Sequence, residues 1–265
     1  MLISTLSMPW RHRSLVAELV KREFTGRYRG SFGGMLWAVA QPLFMLAIYT
    51  VAFGIIMQSR WGFTGTTKEY ALMLFAGLIV YNAFAECLAK APRLIAANPN
   101  FVKKVVFPLE VLPWVMTITA LSHVLIAIAV WVVGYAILYG TPHVTVMYFP
   151  LVLVAFLPVL LAIGWLLAAL GVIVRDIDQL TGMLAHALLF VTPVFYSVDA
   201  APPLIQKALL LNPLTYIVEQ MRLVLFIGKP PNLQGLLVYF LLSLVFSMLA
   251  VFIFRRLRSS FADNV

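Results

Sequence analysis

Cysteine and charge are both scarce in this chain. Cys87 is the one thiol in 265 residues, so no intrachain disulfide can form and a disulfide-stapled scaffold is excluded. Charged side chains make up 11% of the residues, against the roughly 25% of a soluble domain. The four histidines, His12, His123, His143 and His186, show no metal-ligand spacing, and no metal or cofactor is expected in this chain. No Ser-His-Asp or Cys-His arrangement offers a nucleophile, so no catalytic residue is assigned. The phosphate-cradling loop G-x-x-x-x-G-K-[ST] is missing too: Gly228-Lys229 runs into Pro230, with no glycine at the required spacing before it. Asp176-Ile177-Asp178 has the D-x-D form by which many glycosyltransferases hold a metal-bound nucleotide sugar. It sits in a short turn with no nucleotide-binding domain around it, and the expectation is a local Arg175–Asp178 pair.

What the chain has in excess is apolar surface. Hydrophobic residues reach 63% and the mean hydropathy is +0.98, more than one buried core can absorb, so much of this surface faces lipid. A soluble enzyme and a disordered tail are excluded. Six apolar runs are long enough for roughly 30 Å of hydrocarbon: Met35–Met57, Tyr70–Ala89, Val111–Leu138, Val144–Val174, Gln179–Val198 and Leu233–Phe254. The fourth is over-long and carries Pro150 and Pro158, so it should tilt, kink or start late. With no β-period alternation, the fold class is an all-α integral membrane protein of six transmembrane helices.

The net charge of +9 belongs to topology rather than to nucleic acid. With the N-terminus inside, fourteen of the nineteen Lys and Arg fall on the inner side, and Arg60, Lys68, Lys207, Arg222 and Lys229 fall outside. That asymmetry puts both termini in the cytoplasm. The first 33 residues hold six basic side chains and no long apolar run, so no cleavable signal peptide is expected. The chain divides into a cytoplasmic N-terminus (1–34), a six-span domain (35–254) and a cytoplasmic tail (255–265).

Three segments do not span. In Ser14–Phe32, Leu15, Val16, Leu19, Val20, Phe24 and Tyr28 share one helical face, and Glu18, Lys21, Arg22 and Arg29 share the other. This predicts an amphipathic interface helix, apolar side in the acyl boundary, turned into the first span by Gly30, Gly33 and Gly34. Around 98–108, Asn98 and Asn100 bracket Pro99, a helix start, and Pro108 limits the helix to about two turns. Asn100, Phe101, Lys103, Lys104 and Phe107 then form either a docking knob for another protein or a solvated turn obeying the charge rule. Around 200–229, two apolar pieces are each too short to cross. Asn212 as N-cap and Pro213 at the first position open the second piece, and Glu219 and Arg222 can pair on its polar side. The reading is a re-entrant helical hairpin in the outer leaflet.

Within the second run, Asn82, Glu86 and Lys90 fall on one face, with Glu86 well inside the membrane. They form a polar stripe toward a pore or partner, or an internal pair that snorkels to the surface. The aromatics Trp37, Phe44, Tyr49, Phe53, Tyr81, Phe84, Phe195 and Tyr196 lie in or near spans. They either pack the core or, with Glu86, line a conduit in which sugar rings stack on aromatic faces.

Taken together, several stretches resemble one known family. They are Arg27-Tyr28-Arg29-Gly30-Ser31 through Leu36-Trp37 to Gln41-Pro42, the run from Asn98 to Glu110, Arg175-Asp176-Ile177, Thr192 to Tyr196, Leu211 to Tyr216, and Phe254-Arg255-Arg256-Leu257 followed by Phe261-Ala262-Asp263. In this order they resemble the permease subunit of type-2 ABC exporters, in the branch that exports lipid-linked polysaccharide. The resemblance implies a homodimer of six-span subunits in the bacterial inner membrane and two copies of a separate cytosolic ATPase that binds ATP and Mg. It also implies an amphipathic gate helix, a coupling helix between spans two and three, and re-entrant helices before the last span. The implied substrate is an undecaprenyl-pyrophosphate-linked glycan such as O-antigen, whose pyrophosphate is drawn to the gate helix by Arg22, Arg27 and Arg29 beside Tyr28. The alternatives are a type-2 exporter of capsule, teichoic acid or small lipophiles, and an ion-coupled secondary transporter. Against the last stand the absence of an internal repeat and the few intramembrane charges.

Overall fold

The apolar runs fold as helices, and among the described residues no strand is formed. The computed structural model describes residues 8–56, 67–102, 107–174 and 176–261. In chain order the helices are α1 (Arg13–Gly26), α2 (Trp37–Tyr49), α3 (Thr67–Lys90), α4 (Val111–Tyr139) and α5 (Phe149–Ile173). They are followed by α6 (Ile177–Val191), α7 (Pro203–Leu211), α8 (Pro213–Arg222) and α9 (Leu233–Leu257).

Five stretches are long and apolar enough to cross a membrane: Gly34–Ala52, Glu69–Arg93, Val111–Tyr139, Val144–Ile173 and Leu233–Ser260. The sixth expected run, Gln179–Val198, carries a shorter apolar helix, and the candidate spans number five, or six if the bent pair before the last is one span. Pro193 forces Thr192 into extended backbone (φ −78°, ψ 137°), and α6 stops at Val191 after 15 residues. At about 1.5 Å per residue α6 reaches about 22 Å, short of the roughly 30 Å of a hydrocarbon core. In the fourth run the helix starts late, as Pro150 anticipates: residues Val144–Tyr148 form a tight 3-10 turn, and α5 then runs through Pro158 without breaking.

Helices α3 and α5 form the centre. About four-fifths of the α3 stretch is buried (83%), whereas the first crossing has nearly its whole apolar surface outside (6% buried). Along α3 pack α4, α8 and α6, and α9 follows α5 for most of its length. The main core joins Leu72, Phe75 and Ile79 of α3 to Trp131 of α4, Phe156 of α5 and Leu214, Ile217 and Met221 of α8. Trp131 Nε1 satisfies its donor on the Leu72 carbonyl at 2.9 Å, which fixes α4 against α3. A second core gathers Ile95, Leu109, Trp165, Phe254 and Phe261, and a third joins α1 to the start of α4. Both ends of the described chain therefore meet the loop around 95–112.

Helices α7 and α8 meet at 95°, a corner rather than a closed hairpin. Asn212 makes the corner: its Oδ1 accepts from the Leu214 N–H at 3.0 Å, and Pro213 takes the first helical position. Helix α8 then buries Leu214, Ile217, Val218 and Met221 completely, while α7 leaves Leu204, Leu210 and Leu211 exposed.

Candidate functional site

The amphipathic N-terminal helix is held against protein. Val16 and Leu19 of α1 are buried on Val111 and Val115 of α4, with Leu15 and Val20 half-buried beside them. The expected burial of this whole face in the acyl boundary is thus corrected, because its centre packs on α4. The helix also ends at Gly26, six residues before the expected Phe32. Arg27 and Tyr28 lie in the following turn, and Gly30 at φ 85° closes it in backbone geometry that a side chain would oppose. Tyr28 is buried with its ring edge on Phe24 (5.8 Å) and on His123 of α4 (6.2 Å), and Phe24 stacks on His123 at 5.0 Å. Burial raises the Tyr28 phenol above its ordinary value and keeps it neutral.

A charge network clamps this turn to α3. Glu86 Oε1 accepts from Arg27 Nη1 at 3.0 Å and pairs with Lys90 Nζ at 2.8 Å, and its Oε2 lies 2.9 Å from His123 Nδ1. Lys90 reaches back to Glu23 of α1 at 3.0 Å. The expected Glu86–Lys90 pair exists, then, as one link in a five-residue chain through three helices. Glu23, Arg27 and His123 are members that spacing along α3 does not reveal. Between this network and α2 lies a cavity of about 470 Å3, lined by Arg27, Tyr28, Gln41, Asn82, Glu86 and His123 on its polar side. A second cavity of about 450 Å3 shares Ala89 and Lys90 with it and adds Arg22, Glu23, Arg93 and Asn98. Of the expected gate residues, Arg27 and Tyr28 line the first cavity, Arg22 lines the second, and Arg29 is exposed and lines neither.

Past α3, the expected two-turn helix at 98–108 is described as a single turn, Pro99–Val102. Lys103 and Lys104 lie outside the described residues. Phe101 and Phe107 stack on each other, centroids 4.2 Å apart and planes 6° from parallel, and pack half-buried on the second and third cores. The Arg22 guanidinium sits 5.6 Å over the Phe101 ring. The two phenylalanines are therefore spent on each other and on α1, which corrects the picture of free aromatic anchors; Asn100 alone of the expected set in this turn is exposed. Glu110, 3% exposed, holds the far end of the segment by pairing with Arg258 at 3.1 Å and with Arg255 at 3.5 Å, beyond α9 and in its last turn. Asp178 pairs with Arg93, at the end of α3; its expected local partner, Arg175, lies outside the described residues.

The expected conduit aromatics separate into groups. Tyr81 and Phe84 are core residues, Tyr81 donating to the Ala185 carbonyl of α6, and neither lines the two cavities described above. Tyr49 borders the first cavity, and Trp37 and Phe44 stand exposed on α2. Phe195 stacks on Phe190 at 5.7 Å, and Tyr196 donates to the Phe190 carbonyl at 3.1 Å, both half-buried after α6. The side chain of Phe53 lies outside the described residues.

Arg222 has a role beyond the expected pair with Glu219. It is 3% exposed, and its guanidinium donates to the carbonyls of Met73 (3.1 Å), Pro193 (2.7 Å) and Val194 (2.6 Å). Gly77 of α3 makes the room, since a Cβ there would stand 2.8 Å from Arg222 Nη2. One cation thus ties α8, α3 and the turn after α6. A charged residue inside an apolar stretch was the available signal.

A helical bundle with five stretches long and apolar enough to cross a membrane, a shorter apolar helix α6 and a broken helix pair before the last stretch is a multi-pass membrane protein. Among the described residues no cluster of His, Cys, Asp and Glu is placed to hold a metal ion. Residues 14–226 match the membrane family described as ABC-2 type transporter, and the chain belongs to that family. It is 28% identical over 260 residues to the O-antigen export system permease protein RfbA of Myxococcus xanthus, covering 97% of each chain. It is also 25% identical over 251 residues to an O-antigen export system permease protein RfbA of Klebsiella pneumoniae, covering 94% of each.

Proposed function

We propose that this chain is the transmembrane subunit of an ATP-driven exporter that carries O-antigen, linked to undecaprenyl pyrophosphate, out through the bacterial inner membrane. The observation that carries the reading is similarity along almost the entire chain to permeases named for O-antigen export. Two copies enclose the conduit, and two copies of a cytosolic ATPase supply ATP, Mg and the driving force, since the sequence has no phosphate-binding loop of its own. Both termini face the cytoplasm, as the distribution of Lys and Arg supports. Residues 98–108 receive the ATPase through Asn100, Lys103 and Lys104, with the Phe101–Phe107 stack as the stiff base beneath them. When nucleotide closes the ATPases, that push passes to α1, α4 and the tail, which share the packing around Phe101 and Phe107. The two copies then part along a conduit that Trp37, Phe44, Phe195 and Tyr196 help to line.

The test is reconstitution in nanodiscs with and without the ATPase, following release of a lipid-linked glycan. Release should need both subunits and ATP, and charge reversal at Lys103 and Lys104 should leave ATP hydrolysis uncoupled from it. Glycan release by the chain alone, without a nucleotide hydrolase, overturns the reading.

A further inference from the structure

Helix α9 is tied to the rest of the chain by polar bonds at its two ends. At the inner end Arg258, just past Leu257, spans the turn that joins the 98–108 segment to α4. Its Nη1 donates to both oxygens of the Glu110 carboxylate at 3.1 and 3.3 Å, and its Nη2 donates to the Phe107 carbonyl at 3.3 Å. Phe261 plugs the joint: it is fully buried beside Ile95 and Leu109, with its ring edge on Phe254 at 5.2 Å. At the outer end Asn232, the cap of α9, is held by α8. Its N–H donates to Gln220 Oε1 at 2.9 Å, and its carbonyl accepts from the Tyr216 hydroxyl at 3.3 Å. Tyr216 also stacks on Tyr239 of α9 at 5.7 Å, and Gly235 leaves its hydroxyl the room that a Cβ would take.

Between these fittings the contact is smooth. Among the described residues, no polar side chain from Leu233 to Phe254 bonds to another element: Ser243 Oγ turns back to the Phe240 carbonyl, and buried Ser247 Oγ has no hydrogen-bond partner. With Ala250 they form a buried face of small side chains where α9 follows α5. Such side chains raise shallow ridges and oppose an axial shift less than large interlocking ones.

We propose that α9 is a rod that carries displacement of the 98–110 segment at the inner face to the re-entrant pair at the outer face, with Arg258 and Asn232 as its end fittings. Its 25 residues run unbroken from Leu233 to Leu257. At about 1.5 Å per residue they reach about 37 Å, and the hydrogen bonds of every turn make that length stiff along the axis. A shift of Glu110 takes Arg258 with it, because a carboxylate only 4% exposed cannot leave its cations without stranding a buried charge. Asn232 then draws Gln220 and Tyr216, and with them α8, whose corner with α7 stands on the outer side. The mechanism builds on the exporter reading, in which the 98–108 segment receives the push. Arg258, Glu110, Asn232 and Gln220 are positioning residues that act through α9.

The first arm uses the full chain in nanodiscs without ATPase and reads hydrogen exchange at the end of α9 opposite to the substitution. Arg258→Gln should speed exchange over residues 232–236 at least about threefold, and Gln220→Leu should do the same over residues 255–261. A fitting that only steadies its own neighbourhood moves exchange at its own end alone. The Arg258 side chain is 39% exposed, so its variant folds and carries the test even where Gln220→Leu does not. Unchanged exchange at the far end in either folded variant overturns the proposal. The second arm adds the ATPase and a lipid-linked glycan. Each variant should hydrolyse ATP within about twofold of wild type while glycan released per ATP falls about fivefold. Release per ATP at the wild-type value in both variants overturns the proposal too. Failure of the first arm leaves the exporter reading standing, because no ATPase is present. Absence of ATP-driven release from the wild type, with the two ends of α9 still linked in exchange, overturns that reading and spares this one.

Discussion

Replacing Arg222 by Met removes one cation and leaves three carbonyls, of Met73, Pro193 and Val194, without the donor they share. Each charge-assisted bond is worth about 1.5–3 kcal/mol, so about 4–9 kcal/mol of gross interaction is lost. Part returns, because an arginine no longer has to be desolvated at several kcal/mol, and methionine fills most of the volume. The net loss is about 2–4 kcal/mol. In a chain of this size that lowers the thermal midpoint by about 4–16 °C, measurable by fluorescence-detected unfolding in detergent. Gly77→Ala provides the independent arm, since its Cβ would press on Arg222 Nη2 at 2.8 Å. In the wild-type background it should cost about 1–3 kcal/mol, and much less in Arg222→Met, where the residual contact is with Val218. Arg222→Lys should fall between, keeping the charge without the fork. A midpoint for Arg222→Met within about 1 °C of wild type, or strict additivity with Gly77→Ala, would refute the clasp.

Other consequences can be checked in the same preparations. Glu110→Gln leaves Arg255 and Arg258 facing a buried amide, so it should cost about 2–3 kcal/mol and speed hydrogen exchange over residues 255–261; unchanged exchange there contradicts the pairing. Phe107→Ala removes one half of the stack on Phe101 and should cost about 1–2 kcal/mol, with faster exchange in Pro99–Val102. If that turn stays as protected as before, the stack does not support it. Asn212→Ala removes the α8 cap and the Nδ2 bond to buried Thr192 (3.0 Å), for a loss of about 1–2 kcal/mol by thermal midpoint.

The class of protein and most of its element plan were legible from composition and local pattern. Length of apolar run against bilayer thickness is a local quantity, and the dipeptides that end or start helices, Asn212-Pro213 above all, act within a turn. Five of the six expected runs accordingly became helices of crossing length. The exception also has a local cause that hydropathy hides: Val194–Val198 is as apolar as a span, but Pro193 stops α6 before it.

The partners of the polar side chains were decided elsewhere. Helical spacing puts Lys90 beside Glu86, yet Arg27 comes to the same carboxylate from 59 positions away, and Arg222 reaches Met73 across 149. Phe101 and Phe107 look like exposed anchors in the linear order and turn out to be packed on α1 and the tail. Periodicity along a chain fixes which residues share a face, since that follows from the geometry of one helix. Which face meets which is fixed by close packing of many helices at once, and only the folded bundle expresses it.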